Sequence, residues 1–370
     1  HGILDGQGKV WWDAHRINRK LRRQLGLEGR EPDNPSNSPL KWPRPRMINL
    51  YHCKNVLIRD VTLLNSPSWT IHPVYCQNVT IDNVSIIQPY DSPNTDGINP
   101  ESSRDVRITN CFIDCGDDCV TIKSGYNEDG RRVNIPCENV VITNCTFAHG
   151  HSAVGIGSET SGGIKNIVIS NCVFNQTKRG LRIKTARGRG NVVKNVRATN
   201  IIMDHVGTAI SLDMFYGKGE DEEVYQPVDE STPHIYNIHY SHITGTNIER
   251  AGIIRGLPEA PVRGVSFTDI DLKAETGMDI KFTKDLGLNE ISIEVINGAA
   301  LTISDSETLE LDEFTGRIST HDTPVIRLVN LNDCVIRNSK LIGDTGKFIE
   351  KTADTCEIKV INSEMIDINP

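Results

Sequence analysis

Acidic residues, a histidine and two basic residues follow one another along the chain at related intervals. Asp96 is followed 21 and 22 residues later by Asp117 and Asp118, and His151 lies 33 residues beyond Asp118. The tripeptide Arg182-Ile183-Lys184 comes about one interval further along. If the chain winds regularly, such spacing brings three carboxylates, an imidazole and two cations to one surface.

The chemistry that suits this set is acid/base hydrolysis of a glycosidic bond. That reaction needs one acid to protonate the departing oxygen and one carboxylate to activate water. Repulsion among three crowded aspartates raises the pKa of at least one of them, so a proton remains available at mildly acidic pH. Arg182 and Lys184 are suited to bind a substrate carboxylate and to orient the sugar.

Each motif by itself has a structural explanation. The sequence Asn-Thr-Asp-Gly from Asn94 is typical of a turn, and a pair of aspartates is usually a solvated bend or part of a calcium site. A single histidine on a strand is usually structural, and Arg-x-Lys is usually surface charge. A functional interpretation is favoured because the motifs recur in one order, at intervals of about 20–35 residues that suit a solenoid.

A repeat along the chain predicts the elements that position these groups. The pattern is a polar residue, Val or Ile, any residue, an apolar residue, any residue and often Asn or Asp. Strong copies, separated by 23, 27, 34, 27 and 29 residues, begin at Asn55, Asn78, Asp105, Asn139, Asn166 and Asn195. Weaker copies begin at Asn237, Gly264, Glu290, Asp333 and Glu357. Apolar and polar positions alternate as in strands, and a strand repeat of about 20–35 residues predicts an all-β, right-handed parallel β-helix.

Side chains at one phase of such a helix stack about 4.8 Å apart. A hydrogen-bonded ladder at a bend is predicted for Asn83, Asn110, Asn144, Asn171 and Asn200. A stack of small buried side chains is predicted directly after it, at Cys111, Cys145 and Cys172. The acids, His151 and the Arg-Ile-Lys tripeptide fall on successive turns, so we expect them on one broad face.

We expect residues 1–370 to form a single elongated catalytic domain. Residues 12–50 are expected to be an irregular, partly helical insertion, with a helix-compatible run from His15 to Leu27 and a loop rich in Pro and Asn from Pro32 to Pro45. From about residue 260 to 370 the copies fade, and we expect the last coils and a cap there.

The charge of the chain limits its partners. A net charge of −8 argues against nucleic acid or an anionic membrane as a general partner, and no stretch reaches the ~18 apolar residues of a membrane span. Between Glu159 and Asp204, however, there is no acidic residue. This basic stripe, which suits a polyanion held locally, contains Lys165, Lys178, Arg179, Arg182, Lys184, Arg187, Arg189, Lys194 and Arg197.

The ten cysteines leave the redox compartment open. There is no Cys-x-x-Cys and no other cluster typical of a metal site, so we expect no metal. The chain opens on His1-Gly2-Ile3-Leu4-Asp5, which resembles the interior of a strand and not a signal peptide.

Taken together, the motifs resemble the signature of glycoside hydrolase family 28, the polygalacturonases, from residue 1 to about residue 260. The resemblance is carried by Asn94-Thr95-Asp96, Gly116-Asp117-Asp118, Gly150-His151, Arg182-Ile183-Lys184 and the opening Asp5-Gly6-Gln7-Gly8 with Trp11-Trp12. Similarity to the bacterial branch, which includes exo-acting galacturonidases and rhamnogalacturonan-active enzymes, is carried by Ile122-Lys123-Ser124-Gly125, Glu128-Asp129-Gly130-Arg131-Arg132 and Ile156-Gly157-Ser158-Glu159. The family's usual Gly-His-Gly is replaced here by Gly150-His151-Ser152.

The resemblance implies a single displacement that inverts the anomeric configuration, without metal or organic cofactor. Asp117 matches the general acid of the family, and Asp96 and Asp118 match the pair that activates water. His151 matches the histidine that maintains the protonation and position of the acid. The substrate-binding positions of the family are matched by Arg182, Lys184, Tyr216 and Asn94.

We therefore expect release of α-linked galacturonic acid from the ends of polygalacturonan or its oligomers. Hydrolysis of rhamnogalacturonan oligosaccharides is the alternative. A pectate lyase, with the aspartates as calcium ligands and Arg182 as base, and a non-catalytic polysaccharide-binding β-helix rank below both. The substrate implies a secreted or periplasmic protein, and capped solenoids are commonly monomers.

Overall fold

The computed structural model describes residues 2–24, 44–217, 223–321, 323–343, 347–352 and 358–367. In these residues there are two helices, α1 (Lys9–Gln24) and α2 (Asn127–Val133), and 26 strands. The strands of the first half are β1 (Gly2–Asp5), β2 (Ile48–Tyr51), β3 (Lys54–Arg59), β4 (Val61–Leu64), β5 (Ile71–Val74), β6 (Gln77–Asp82), β7 (Ser85–Ile87), β8 (Arg104–Thr109), β9 (Phe112–Asp114), β10 (Val120–Ile122), β11 (Cys137–Thr143), β12 (Thr146–Gly150), β13 (Val154–Gly157), β14 (Ile164–Thr177) and β15 (Arg179–Lys184). Those of the second half are β16 (Val192–Asp204), β17 (Thr208–Asp213), β18 (His234–Arg255), β19 (Val262–Lys281), β20 (Thr283–Asp312), β21 (Thr315–Ile318), β22 (Ile326–Arg337), β23 (Lys340–Gly343), β24 (Ile349–Lys351), β25 (Ile358–Ile361) and β26 (Glu364–Asp367).

These strands wind into a right-handed parallel β-helix, as predicted. Each strand pairs in parallel with the strand one coil away, and one column of partners is Val56, Val79, Val106, Val140, Ile167, Val196 and Ile238. The separations along this column up to Val196 are those of the sequence repeat. One copy of the repeat therefore corresponds to one coil, and the repeat predicts the register between coils correctly. No helix in the described ranges is long and apolar enough to cross a membrane.

The coils stack as three ladders of parallel strands. Ladder A contains β3, β6, β8 and β11; ladder B contains β1, β4, β7, β9 and β12; ladder C contains β2, β5, β10, β13, β15 and β17. The longer strands, from β14 onward, run through a bend and belong to more than one ladder. Ladder C is the one that carries the predicted site.

Asparagine dominates two bends because the backbone there is left-handed, a conformation that Asn tolerates better than β-branched residues do. The predicted ladder residues Asn83, Asn110, Asn144, Asn171 and Asn200 all have φ between 52° and 56°. Asn200 donates to Asn171 (2.7 Å), whereas Asn171 and Asn110 donate to Thr143 and Asp82. The more continuous ladder lies at the first repeat position, where Asn166 donates to Asn139, Asn195 to Asn166 and Asn237 to Asn195, at 3.0, 2.9 and 2.6 Å.

The core between the ladders is filled by aliphatic and small side chains. Cys111, Cys145 and Cys172 are each 2% exposed and stack as predicted, with no disulfide among the nine described cysteines. Aromatic side chains enter as neighbours on adjacent coils, such as Phe147 and Phe174, whose ring centroids are 5.5 Å apart. Because β-branched side chains fill most of the core, few aromatic side chains are needed there.

One of the weaker repeat copies lies at a different phase from the one predicted. Glu290 precedes Ile291, which pairs with Ile270 of ladder B, so Glu290 lies at the second bend. The residue at the position of Gly264 in the next coil is Asp285, because Val265 of ladder A pairs with Leu286. The prediction was wrong because both bends place a left-handed polar residue before an alternating strand. Glu357 lies outside the described residues.

The N-terminal segment packs beside the first coils. β1 pairs with β4, and α1 follows it directly. Trp12 of α1 is 6% exposed and donates its indole N–H to the carbonyl of Ser66 (3.0 Å). The helix starts six residues before the predicted run from His15, and most of the loop from Pro32 to Pro45 lies outside the described residues. Arg16 of α1 contacts Asp91 at 2.8 Å, which sets α1 next to the loop that leads to the site.

Candidate active site

The candidate site lies on ladder C, where one position recurs from coil to coil. The amide of Gly97 donates to the carbonyl of Asp118 (3.0 Å), and the amide of Cys119 donates to the carbonyl of Ser152 (2.8 Å). These bonds set Asp96, Asp118 and Ser152 at the same position of three successive coils. The winding of the chain, and not local sequence, brings these distant residues together.

The three predicted acids meet in one cluster. One carboxylate oxygen of each of Asp96, Asp117 and Asp118 lies within 4.8 Å of the others. Asp96 and Asp118 are buried, at 3% and 1% exposure, whereas the side chain of Asp117 is 19% exposed. Asp117 is thus the acid of the three that is most open to a molecule in the groove.

Asp118 is held as a carboxylate by a buried cation. Its Oδ2 lies 2.6 Å from the ammonium of Lys184, and both side chains are almost fully buried. Burial opposes ionisation, but the charges of Lys184 and Arg182 and the hydrogen bonds from Lys184 and Ser152 outweigh it and lower the pKa of Asp118. Lys184, predicted as a substrate-binding residue, therefore also neutralises a buried acid.

Asp96 has the opposite electrostatic environment. Burial and the neighbouring charge of Asp117 raise its pKa well above the ordinary value, against the attraction of Lys123. Its Oδ2 accepts a hydrogen bond from Asn99 (3.1 Å). The expectation that crowding raises the pKa of at least one acid is met at Asp96, and burial is the larger cause.

Asp117 is oriented by three neighbouring groups. Its Oδ1 lies 3.0 Å from Nδ1 of His151, and its Oδ2 accepts a longer hydrogen bond, of 3.4 Å, from Asn94. Asn94 is in turn fixed by the buried guanidinium of Arg44, which donates to Asn94 Oδ1 (2.6 Å). The backbone amide of Asp118 also donates to Asp117 Oδ1 (3.0 Å). These contacts fix the orientation of the Asp117 side chain, the most exposed of the three acids.

Arg182 and Tyr216 lie on the C-terminal side of the acids. The guanidinium carbon of Arg182 and the ammonium of Lys184 are each 5.3 Å from the ring centroid of Tyr216. Arg182 donates a long hydrogen bond to Ser152 Oγ (3.4 Å) and forms no ion pair with any described acid. Its charge is therefore available to an anion in the groove.

All eight predicted site residues thus lie in one region, and the structure adds neighbours that the motifs do not include. Arg179 occupies the column position one coil beyond Ser152, because the amide of Ala153 donates to its carbonyl (2.8 Å). Lys178 extends its ammonium to 5.6 Å from the ring of Tyr90. Both residues belong to the basic stripe, which was the signal that could have identified them. Arg44 lies outside the repeat, and nothing in the sequence marks it.

The rest of the basic stripe has other contacts. Lys165 pairs with Glu138 (2.9 Å) and Arg187 with Glu259 (2.6 Å). Arg189 donates to the carbonyl of Ser158. The part of the stripe from Lys178 to Lys184 lies next to the acids.

The cluster suits proton transfer better than cation binding. Three carboxylate oxygens within 4.8 Å have the size of a cation site. However, the ammonium of Lys184 already contacts Asp118, and a divalent cation beside it would be repelled. One ionised carboxylate, one carboxyl with a raised pKa and one accessible acid are the groups that hydrolysis of a glycosidic bond requires.

Comparison with known proteins shows the family of the chain. The model for glycosyl hydrolases family 28 matches residues 1–284. A probable polygalacturonase from Vitis vinifera is 35% identical over 273 residues, which cover 74% of this chain and 51% of that protein. The hyperthermoactive exopolygalacturonase of Thermotoga maritima matches with a TM-score of 0.67 at 29% identity, covering 78% of this chain and 67% of that one.

The polygalacturonase from Erwinia carotovora ssp. carotovora gives a TM-score of 0.62 at 27% identity, covering 76% of this chain and 68% of that one. The chain spans about half the length of the curated relatives it matches, such as those from Vitis vinifera and Chamaecyparis obtusa. The match over residues 1–284 includes every residue of the site. The chain belongs to glycoside hydrolase family 28.

Proposed function

We propose that this protein hydrolyses the bonds of α-linked galacturonic acid in pectic polysaccharide, without a metal or an organic cofactor. The observation that carries the proposal is the cluster of three aspartates beside an arginine that has no acidic partner among the described residues. The acids supply the chemistry, and the arginine selects a sugar that bears a carboxylate. Relatives named polygalacturonases support the same substrate.

Asp117 is the general acid in this proposal. It is the most exposed of the three, so its proton can reach a glycosidic oxygen in the groove. His151, 3.0 Å away, holds the carboxyl and exchanges a proton with it after each turnover. Asn94 fixes the second oxygen.

Asp96 and Asp118 together activate the water: both hold it, and Asp118, whose pKa is lowered, accepts its proton. Each keeps one buried oxygen, Oδ1, for which the described residues provide no donor, so each can accept a hydrogen bond from water. Both side chains lie below the surface of the groove and offer a sugar little direct contact. We therefore propose water as the nucleophile, with inversion at the anomeric carbon, although the carboxyls lie closer together than the roughly 6.5–9.5 Å of most inverting enzymes.

Arg182, Lys184 and Tyr216 bind the sugar on the C-terminal side of the acids. Arg182 offers a planar donor pair that matches a carboxylate. Tyr216 lies beside both cations and limits how they move. The calcium-dependent lyase is less well supported, because Lys184 occupies the acidic cluster. The non-catalytic β-helix is less well supported, because it gives no role to three acids that converge beside an arginine without an acidic partner among the described residues.

We further propose that the enzyme removes galacturonic acid from chain ends. The described part of the N-terminal segment lies against one side of the site, where it would block a chain that runs past the acids: Arg16 of α1 contacts Asp91, and Arg44 contacts Asn94. The solved relative from Thermotoga maritima is an exopolygalacturonase, which supports the same mode of action and the bacterial exo-acting branch. The substrate lies outside the cell, so a secreted or periplasmic monomer fits this role.

The product profile on polygalacturonan and on rhamnogalacturonan I tests the proposal. We expect monomeric galacturonic acid from polygalacturonan at early times, with new reducing ends and no ultraviolet-absorbing double bond. A ladder of oligomers would contradict the exo mode. Activity on rhamnogalacturonan I alone would contradict the substrate, and unsaturated products would contradict hydrolysis.

A further inference from the structure

Arg46 occupies the same column of ladder C as the catalytic cluster, on the opposite side from Arg182. Ile48 pairs with Ile71, which pairs with Ile98, so Arg46 is in register with Trp69 and Asp96. It therefore lies two coils before Asp96, at roughly 10 Å for a coil separation of about 4.8 Å. Arg179 occupies this column two coils after Asp118, so cations flank the acids on both sides.

The guanidinium of Arg46 is held but not neutralised. Its Cζ lies 4.7 Å from the ring centroid of Trp69, as expected for a cation–π contact. The side chain is half-buried and makes no hydrogen bond or ion pair with any residue in the described part of the chain. A stacked arginine of this kind presents its donors in a fixed direction.

The acids around Arg46 already have other partners. Glu159 pairs with Lys123 (2.8 Å), whose ammonium also lies 4.8 Å from the Trp69 ring. Glu101 lies 2.8 Å from Nε2 of His72. Both carboxylates are close enough to attract Arg46 electrostatically, but neither reaches it. Arg46 is therefore the cation of this cluster that remains open to an external anion.

We propose that Arg46 binds the carboxylate of the sugar on the side of the scissile bond opposite to Arg182. This proposal rests on the proposed hydrolysis of galacturonate bonds and sharpens its substrate. Two adjacent acidic sugars would each meet an arginine, one on either side of the acids. Polygalacturonan carries a carboxylate on every sugar, whereas rhamnogalacturonan alternates acidic with neutral sugars. Arg46 thus favours polygalacturonan.

The test uses digalacturonate and the two disaccharides in which one of its carboxylates is reduced to an alcohol. In Arg46→Gln we expect kcat/KM on digalacturonate to fall about 10- to 100-fold, the effect of losing a charge-assisted hydrogen bond. One reduced disaccharide already lacks the partner of Arg46, and on it the variant and the wild type should be equal. Arg182→Gln should show the complementary pattern, with no further loss on the other reduced disaccharide.

Arg59→Gln on the outer face of β3 is the matched control, since among the described residues Arg59 pairs with the adjacent Asp60 alone and is well exposed. It should leave all three rates unchanged. An unchanged rate of Arg46→Gln on digalacturonate would overturn the proposal. An equal loss on all three substrates would also overturn it, because that pattern is expected if Arg46 only supports Trp69. If the wild type releases no galacturonate from any oligogalacturonate, the proposed hydrolysis itself is wrong.

Discussion

The coils that carry the site and the coils that follow it use the same strand position in opposite ways. On ladder C, Lys184 is in register with Asp213, then Arg255, then Lys281. In the later coils the charges pair with one another. Arg255 contacts Asp213 at 3.1 Å, and Lys281 contacts Asp305 at 3.7 Å and also Glu223.

In the site coils the pairing is incomplete and buried. Lys184 is almost fully buried against Asp118, while Lys281 is one-third exposed. Arg182 has no acidic partner in the described part of the chain, whereas Arg255 has two. Charged side chains stack in both regions, and the site coils differ because one cation is buried and another has no acidic partner among the described residues.

The largest effect is expected from the acid itself. Asp117→Asn removes the transferable proton but keeps the size of the side chain, so kcat should fall by about 10²–10⁴-fold. Substrate binding and thermal stability should change little. Asp105→Asn, an isosteric change at the bend where β8 begins, should leave kcat unchanged. Reducing-sugar assays on both variants check this, and unimpaired turnover by Asp117→Asn would remove Asp117 from the mechanism.

The next largest effect is expected on replacing Lys184, and the same replacement at Lys281 serves as the comparison. Lys184→Met leaves Asp118 as a buried, uncompensated charge and should cost about 3–5 kcal/mol in the free energy of unfolding, together with most activity. Lys281→Met removes a partly exposed pair and should cost about 0–1 kcal/mol, with activity retained. Urea denaturation of the two variants measures the difference. Equal costs would mean that burial does not separate the two regions.

The cost of Lys184→Met should also depend on pH. Burial disfavours the charge of Asp118, but Lys184 and Arg182 still lower its folded pKa. Such a carboxylate stabilises the fold above its ordinary pKa of about 4, and this contribution is lost as the pH falls through the lowered value. The difference between wild type and variant should therefore shrink in acid.

Replacing Asp96 is expected to have a smaller effect on the free energy of unfolding, and to raise it where Lys184→Met lowers it. Because its folded pKa is raised, the folded state holds a proton that the unfolded chain releases, and stability falls as the pH rises above about 4. Asp96→Asn removes this penalty while its amide oxygen can still accept from Asn99. The variant should unfold at a higher urea concentration than wild type at pH 7 but not at pH 3, while losing activity. A variant less stable than wild type at pH 7 would contradict the raised pKa.

The sequence predicted the register and the cluster because both depend on one periodic signal. Val56 and its partners up to Val196 recur at the spacing of the coils, and the three aspartates each follow a copy of the repeat by 12 to 18 residues. Glu290 was misplaced because the two bends have similar local sequences. The motifs around the acids therefore sufficed to predict which groups meet.

The sequence did not predict how deeply the site residues are buried, nor which residues outside the repeat contact them. No pattern around Lys184 indicates that its ammonium is buried against Asp118, and none around Asp96 indicates that burial raises its pKa more than Asp117 does. Arg44 and Arg46 lie in a proline-rich stretch that carries no copy of the repeat, so the sequence does not indicate where they fall relative to the coils. Their contacts with Asn94 and Trp69 follow from tertiary packing alone.

The central claim is that Asp117 and the buried pair Asp96 and Asp118 together deliver a proton and a water to one bond. Proton NMR of the first product released from oligogalacturonate tests it most directly. We expect galacturonic acid whose new reducing end is initially the β-anomer, formed by attack of water opposite the α-linkage. An initial α-anomer would indicate a carboxylate nucleophile, and an unsaturated sugar would indicate elimination; either result would contradict the account.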